Sequence, residues 1–298
     1  MQNTVKSQAV PQNSTAKGTA IALVGVFVLS FDALLIRIAG AISWDILFWR
    51  GLLMGLALGG ISSWHSRRFF LNTLRIQGRA AFASGTMFGL SGAGFVLSIM
   101  HTHVANTVLI FSTAPLFAAL FTWIFLRERI GVATWLAILA VMLGVGLVFK
   151  GSLQAANISG DLFALAAAMT VGGNFTLLRR NPDLDRAPMV AWGGFISAAV
   201  AWSWSSPLSL PVQSYLVLAL MGLLQMPLAL LLLAVATRML TAPEVSMVLL
   251  LEAVLGPFWV WLILGETPPE ATWLGGTIIL GTLGLYFASL LQGSPQKT

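Results

Sequence analysis

Ten long apolar segments fill most of this 298-residue chain, and they constrain its fold more than any other feature. They run over residues 19–39, 43–62, 81–100, 104–126, 131–149, 160–179, 189–204, 212–236, 243–264 and 272–292. A helix needs roughly 20 apolar residues to cross a bilayer. The segments are continuous rather than alternating, which favours helical spans over strands. The sequence therefore predicts an all-α integral membrane protein with ten transmembrane helices.

The composition excludes the main classes of soluble protein. Only 9% of the residues are charged and 57% are apolar, whereas soluble domains carry about 25% charged residues. So few charges cannot cover the surface of a globular protein of this length, which rules out an ordinary soluble enzyme, a disordered protein and a coiled coil. Cysteine is absent and histidine occurs three times. The sequence therefore predicts no disulfide, no metal site and no cofactor.

The positions of the basic residues predict the side of the membrane that each loop occupies. Residues 1–17 are polar and lack a signal-peptide cleavage pattern, so we expect a retained cytoplasmic tail. Ten spans then return the C-terminus to the cytoplasm. Of the 16 Lys and Arg residues, Arg37 and Arg50 lie within spans, Lys150 lies in an outer loop, and 13 lie on the inner side. These 13 are Lys6, Lys17, Arg67, Arg68, Arg75, Arg79, Arg127, Arg129, Arg179, Arg180, Arg186, Arg238 and Lys297.

This distribution follows the positive-inside rule, and a missed or extra span would destroy it. The net charge of +6 is then a signal of topology and not of nucleic-acid binding. We expect a multi-pass protein of the bacterial inner membrane that contacts lipid and no nucleic acid. The inner loop over residues 65–79 mixes basic and apolar side chains. This composition fits a short helix in the membrane interface, and it fits a solvated basic loop equally well.

The chain also contains an internal repeat with a constant offset of 138 residues. The matching residues are the runs 133–136 and 271–274 (both ATWL), together with the pairs Trp123–Trp261, Glu128–Glu266 and Gly146–Gly284. The offset spans five helices, an odd number, so the second copy crosses the membrane in the opposite direction. Inverted repeats of this kind build transporters that work by alternating access, with a site between the halves near the midplane. We predict five-helix halves over residues 18–150 and 151–292, between tails at 1–17 and 293–298.

Three motifs resemble the EamA type of the drug/metabolite transporter superfamily. Residues 44–51 (WDILFWRG) are similar to its second-helix signature. Residues 105–129, which include ANT, APLF and LRER, resemble its fourth helix, and residues 251–266, which include LEAV and LGE, resemble the matching ninth helix. The resemblance extends over residues 18–292. It implies two inverted five-helix halves and the export of amino acids or related metabolites.

Charged residues inside a bilayer are costly and are usually paired or functional. Asp32 and Arg50 fall at matched depths, each roughly 11 Å from the outer ends of the first two spans at 1.5 Å per helical residue. They either lock the two helices together or face the cavity, where opposite charges would hold a zwitterion. Glu252 lies near the middle of the ninth span. It is the first candidate for proton coupling or substrate contact, the alternative being a protonated side chain hydrogen-bonded within the bundle.

Uncharged polar residues beside glycine or proline complete the predicted site. Ser112 precedes a proline, Asn174 follows two glycines, and Gln225 precedes a proline. They either serve backbone groups that the neighbouring residue frees, or they line the cavity and bind polar substrate atoms. Hinge or packing roles are expected at Gly85, Gly89, Pro115, Pro227 and Pro257.

The first functional hypothesis is export of neutral, hydrophobic or aromatic amino acids, because the spans offer an apolar site with few polar groups. Efflux of drugs or toxic analogues by the same fold is the alternative. Residues 89–92 (GLSG) also resemble the G-x-S-G of rhomboid proteases. The nearest histidines lie at the end of the same helix rather than on another, so we expect no enzyme activity. A channel is a further alternative, which saturable transport would exclude.

Overall fold

The computed structural model describes residues 12–102, 104–149, 158–265 and 270–292. Within these ranges the chain forms α-helices and two π-helical segments, Thr122–Leu126 and Met221–Gln225, and no β-strand. The α-helices are α1 (Gln12–Leu29), α2 (Asp32–Ala39), α3 (Ser43–Ser66), α4 (Phe70–Gln77), α5 (Arg79–His101), α6 (Val104–Phe111), α7 (Ala114–Phe121), α8 (Val132–Phe149), α9 (Ile158–Arg180), α10 (Arg186–Ala201), α11 (Val212–Leu220), α12 (Met226–Ala236), α13 (Ala242–Leu249), α14 (Glu252–Leu264) and α15 (Glu270–Gln292).

The helices are those of a membrane protein. In the described part of the chain, eight helical stretches are long and apolar enough to cross a membrane. A further apolar helix, Val132–Val148, is shorter, and the 16-residue α10 coincides with the predicted span at 189–204. Large apolar side chains such as Leu143, Leu216 and Leu285 are more than two thirds exposed, as a lipid-facing surface requires.

The all-helical membrane class is confirmed, while the count of ten spans and the cytoplasmic placement of both termini stay predictions. Residues 1–11, Lys150, Glu266 and residues 293–298 lie outside the described residues. The inner loop at 65–79 contains the short helix α4.

Two apolar segments are interrupted at equivalent positions of the repeat. The fourth breaks at Ser112 and Thr113 between α6 and α7, and the ninth breaks at Leu250 and Leu251 between α13 and α14. These breaks are 138 residues apart, and the same offset relates the first residues of α6 and α13, of α7 and α14, and of α8 and α15. The break in the ninth segment lies before Pro257 and not at it, because α14 continues through that proline.

Helices from the two halves pack in a pseudo-twofold arrangement. α3 packs on its counterpart α10, α8 packs on its counterpart α15, and the pairing of α1 with α12 repeats that of α9 with α5. The counterpart pairs meet at glycines. A Cβ on Gly51 would lie 2.7 Å from the carbonyl oxygen of Gly194, and a Cβ on Gly144 would lie 3.0 Å from that of Gly275. These helices therefore approach each other backbone to backbone.

The two ends of the bundle differ in packing. The inner end, predicted to be cytoplasmic, holds segments 67–69, 127–131, 181–185 and 237–241, and the outer end holds segments 40–42 and 202–211. Towards the inner end α7 packs against α13, and all eight residues of α13 are buried. Among the described residues no comparable packing joins α6 to α14 towards the outer end, and in α14 only Gly256 is buried. Helices α7 and α13 thus pack together at the inner end, whereas in the described structure their counterparts α14 and α6 do not pack together at the outer end.

Candidate functional site

The charged residues predicted on the first two spans meet beside the break between α1 and α2. That break, at Ser30 and Phe31, makes Asp32 the first residue of α2. Arg50, in α3, donates from Nη1 to both carboxylate oxygens of Asp32, at 3.1 Å to Oδ1 and 3.0 Å to Oδ2. The side chains of Arg50 and Asp32 are only 15% and 12% exposed, so this charge-assisted contact is largely shielded from water.

Glu252 joins the pair from the other half of the chain. It is the first residue of α14, directly after the break at Leu250 and Leu251, and α14 packs on α2. Its carboxylate interacts electrostatically with both Asp32 and Arg50. Both carboxylates lie at helix N-termini, where the helix dipole stabilises negative charge. We call these three residues the charged cluster (Asp32, Arg50 and Glu252).

An aromatic wall (Phe27, Phe31 and Trp259) adjoins the charged cluster. The rings of Phe31 and Trp259 stack with centroids 4.6 Å apart, and Phe27 meets both rings edge-on. Trp259 Nε1 donates to Ser30 Oγ at 2.9 Å, which ties α14 to the helix break. Trp259 is one of 11 tryptophans and is absent from the site residues predicted above. Its position two helical turns after Glu252, on the same face of α14, is the signal that would have found it.

Gln225 reaches the same helix break from the π-helical segment Met221–Gln225. Its Nε2 donates to the carbonyl oxygens of Val28 and Leu29, both at 3.2 Å, which the break has freed from the helix ladder. Its Oε1 is buried and has no partner among the described residues. Gln225 therefore serves the backbone with its donor and retains an unused acceptor. π-helical turns within α-helices are often found at functional sites.

Ser112 and Pro115 lie at the corresponding break of the first half. Ser112 donates to the carbonyl oxygen of Leu109 at 2.6 Å, and Thr113 donates to that of Ile110, also at 2.6 Å. Both hydroxyls thus satisfy backbone groups of α6. Pro115 is buried in the first turn of α7, where a proline costs no helix hydrogen bond. Pro227 has the same place in α12.

Asn174 lies in the contact between α5 and α9, away from the charged cluster's helices. Its Oδ1 accepts from Ser84 Oγ at 2.7 Å, and its buried Nδ2 has no partner among the described residues. Gly85 and Gly89 face α10 on the same helix α5. A Cβ on Gly85 would lie 2.5 Å from the carbonyl oxygen of Met189, so this contact requires glycine. The structure thus places these residues in helix packing.

The inner end is fastened by a buried polar chain that the sequence analysis missed. Tyr286 of α15 donates to Glu244 Oε1 of α13 at 3.2 Å and lies 2.8 Å from Thr134 Oγ1 of α8. Glu244 Oε2 also accepts from the backbone N–H of Thr241 at 2.7 Å, in a capping box. Three helices from both halves are therefore connected at this end.

Arg186 holds the connecting segments of the inner end together. It is the first residue of α10 and is 3% exposed. Its guanidinium donates, at distances from 2.8 to 3.3 Å, to the carbonyl oxygens of Leu178, Asn181, Leu184 and Ala234. Burial, together with the charge of Arg238, lowers the pKa of Arg186 to about 10. The side chain therefore stays protonated at neutral pH.

Comparison with known proteins yields one family. The family described as the EamA-like transporter family matches residues 16–150 and, a second time, residues 158–290. The chain belongs to this family. It is therefore a multi-pass membrane transporter of the drug/metabolite transporter superfamily, as its motifs predict, and family membership implies a small-molecule substrate.

A curated protein and a solved structure are similar to this EamA-like chain. The curated protein "Uncharacterized transporter YdfC" of Bacillus subtilis (strain 168) is 27% identical over 196 residues. The alignment covers 63% of this chain and 63% of that protein, less than two thirds of either. A solved structure described as "Crystal structure of protein" matches with a TM-score of 0.75 at 19% identity, over 93% of this chain and 97% of that one. At this identity the likeness shows a shared fold.

Proposed function

We propose that this EamA-like protein exports small zwitterionic metabolites, above all neutral, hydrophobic or aromatic amino acids, from the cytoplasm across the bacterial inner membrane. The observation that carries the proposal is the charged cluster beside the aromatic wall. Ionisable side chains within a membrane protein's spans are expensive, and they mark substrate and proton pathways. A ligand with two opposite charges and an apolar side chain matches both surfaces.

The charge balance of the cluster favours a ligand that carries an ammonium group. The cluster contains two carboxylates and one guanidinium, so it lacks one positive charge. Asp32 already engages Arg50 at 3.0 Å, which leaves Glu252 as the group in need of a cation. An ammonium group or a proton supplies that charge. Because the two compete for one carboxylate, Glu252 supports an exchange of substrate for protons.

The remaining donors of Arg50 suit the other end of a zwitterion. A guanidinium has five N–H donors, and Asp32 uses only those of Nη1. A substrate carboxylate would bind the remaining N–H donors of the Arg50 guanidinium. The side chain of the same substrate would then contact Phe31 and Trp259. Gln225 Oε1, buried without a partner in the described structure, offers one more acceptor for the ammonium group.

Alternating access is the mechanism that the repeat supports. Ten spans with both termini in the cytoplasm account for the positions of the basic residues. The described arrangement, in which α7 packs on α13 while α6 and α14 do not pack together, is then one of two states that the inverted halves exchange. In the other state α6 and α14 would meet, and α7 and α13 would separate. The amino acid would enter the charged cluster from the cytoplasm and leave through the outer end.

Two alternatives use the same residues differently. A drug or toxic-analogue exporter would use the aromatic wall and would not require an ammonium and a carboxylate on one ligand. An intramembrane enzyme would require a free nucleophile in the GLSG motif. The hydroxyl of Ser91 instead donates to the carbonyl oxygen of Ala167 at 3.2 Å, within the contact between α5 and α9. This arrangement supports transport over hydrolysis.

The test is uptake by the full chain reconstituted in liposomes, with a panel of radiolabelled neutral, aromatic, acidic and basic amino acids. We expect saturable uptake of neutral and aromatic members, faster with a proton gradient than without one. Uptake of organic cations or neutral drugs in place of every amino acid would favour the drug exporter. Flux that does not saturate would indicate a channel.

A double variant separates substrate binding from a structural lock. Asp32→Asn with Arg50→Gln keeps hydrogen-bonding groups between α2 and α3 and removes both charges. We expect this protein to fold with an almost unchanged melting temperature and to lose at least 90% of its uptake, in keeping with about 1.5–3 kcal/mol for a hydrogen bond to a charged group. The control is Arg129→Gln with Glu270→Gln, two exposed residues of opposite charge. Uptake retained by the first variant would mean that the pair only locks the helices.

A further inference from the structure

The inner end of α3 carries a basic groove outside the transport site. The groove has a volume of about 600 Å³ and is lined by Ser63, Trp64, Arg67, Arg68 and Phe69. Both arginines are exposed. Among the described residues the structure gives neither guanidinium a carboxylate partner, and the sequence contains no acidic residue between Asp45 and Glu128. The groove therefore has unbalanced positive charge.

An apolar groove continues from the basic one along α3. It has a volume of about 380 Å³ and is lined by Gly60, Ile61, Trp64 and His65, so that Trp64 borders both grooves. A Cβ on Gly60 would meet no atom within 4 Å. The missing side chain thus leaves open space beside Ile61, which is 61% exposed. A basic groove here adjoins an apolar groove on the same helix.

The turn that carries the two arginines is held rigidly. Ser63 Oγ accepts from the backbone N–H of Phe70 at 3.0 Å, and Ser66 Oγ accepts from the hydroxyl of Thr73 at 3.2 Å. Phe70 is buried and stacks near Phe195 with ring centroids 5.5 Å apart, which anchors α4 to the bundle. The turn that carries Arg67 and Arg68 is therefore tied to α4 and, through Phe70, to the bundle.

We propose that these two grooves form a binding site for an anionic glycerophospholipid of the cytoplasmic leaflet. The phosphate binds Arg67 and Arg68, and one acyl chain lies beside Gly60 and under Trp64. Basic pockets at the cytoplasmic ends of spanning helices suit acidic headgroups, and each arginine near the surface adds to the attraction. The apolar groove selects a lipid over a soluble phosphate, because only a lipid fills both parts. This site is independent of the proposed amino-acid transport.

The test is native mass spectrometry of the full chain in detergent, titrated with dioleoylphosphatidylglycerol or with dioleoylphosphatidylcholine. We expect tighter binding of phosphatidylglycerol. Arg67→Gln with Arg68→Gln should weaken that binding about 30-fold, as two lost surface charges imply. The matched control is Arg75→Gln with Arg79→Gln, which removes two exposed arginines of the same inner interface and should leave binding unchanged.

A second variant tests the acyl groove without touching the arginines. Gly60→Leu should weaken phosphatidylglycerol binding severalfold, whereas Gly281→Leu should not, because Gly281 also lies in open space but far along the chain on α15. Equal binding of both lipids, or equal effects of Gly60→Leu and Gly281→Leu, would overturn the proposal. Displacement of the lipid by millimolar inorganic phosphate would also overturn it and would assign the groove to soluble phosphate. Melting temperatures of all four variants establish that they fold.

Discussion

The counterpart helices α7 and α14 occupy equivalent places in the two halves, yet α7 begins with a buried alanine and α14 begins with a carboxylate. α7 begins with Ala114, and α14 begins, 138 residues later, with Glu252. A Cβ on Gly172 of α9 would lie 2.8 Å from the backbone oxygen of Ala114. Against α2, a Cβ on Gly256 of α14 would have Ala33 Cβ at an ordinary 3.5 Å. One contact is closed backbone to backbone, and the other leaves room for side chains.

The comparison separates what the repeat determines, the positions of the helix breaks, from what individual residues determine, the packing and charge beside each break. The helix breaks recur at the offset of the repeat, so both halves bend at the same place. Small residues then bring α7 into close contact with α9, while a carboxylate and a tryptophan occupy α14. The backbone frame is therefore symmetric, and the carboxylate occurs at only one of these two equivalent positions.

The largest effect is expected from exchanging the first residues of these two helices. Ala114→Glu places a carboxylate in a site that is 0% exposed, at a cost of about 3–5 kcal/mol for an uncompensated buried charge. We expect little folded protein by fluorescence-detected size-exclusion chromatography. Glu252→Ala should instead fold well and lose about 10- to 100-fold in uptake, the equivalent of one hydrogen bond to a charged group. Normal folding of Ala114→Glu would show that the contact between α7 and α9 is not closely packed.

Adding one methyl group sharpens the same comparison. Gly172→Ala should lower the free energy of unfolding by about 1–3 kcal/mol, because the new Cβ overlaps backbone atoms that cannot move aside. Gly256→Ala should be neutral or should stabilise the protein by up to about 1 kcal/mol through the helix propensity of alanine. Thermal unfolding in detergent measures both. A reversed order of the two melting temperatures would contradict the packing difference between the two ends.

The smallest effect is expected at the polar chain of the inner end. Tyr286→Phe removes the hydroxyl between Glu244 and Thr134, which is worth about 1 kcal/mol. The contact between α7 and α13 should then open more often, and a cysteine at Val245, which is 0% exposed in α13, should react faster with a membrane-impermeant thiol reagent. The other tyrosine of the chain provides the control. Tyr215 donates to the Pro207 carbonyl oxygen at the outer end, so Tyr215→Phe should leave the reaction rate at Val245 unchanged.

Much of the fold could be predicted because it depends on periodic, local signals. Apolar segment lengths give the helical membrane class, and the repeat offset anticipates equivalent halves. The contact between Asp32 and Arg50 was also within reach. The two residues lie equally far from the turn at 40–42, so two antiparallel helices bring them to one depth.

The rest of the site depends on long-range packing that no local pattern encodes. The spacing of Trp259 from Glu252 puts the two residues on one helix face, but only the packing of α14 against the break at Ser30 shows that this face lines the site. The chain from Thr134 through Tyr286 to Glu244 joins residues up to 152 positions apart. Ser112 and Asn174 have the residue types of a polar site, and the structure places both in backbone or helix packing. The sequence also does not show which end is closed. That depends on many contacts between small residues, and no single small residue differs in the sequence from the others.

The central claim is that the two ends open alternately, and distances between spin labels test it most directly. The natural chain contains no cysteine, so a pair of introduced cysteines carries the only labels. One pair at Arg127 and Arg238 reports the inner end, and one pair at Thr102 and Leu264 reports the outer end. Without substrate we expect a short, narrow distance at the inner end and a longer, broader one at the outer end. Saturating L-phenylalanine should lengthen the first and shorten the second, and Glu252→Gln should abolish the response. A longer inner than outer distance without substrate, or shifts of both distances in the same direction, would contradict the account.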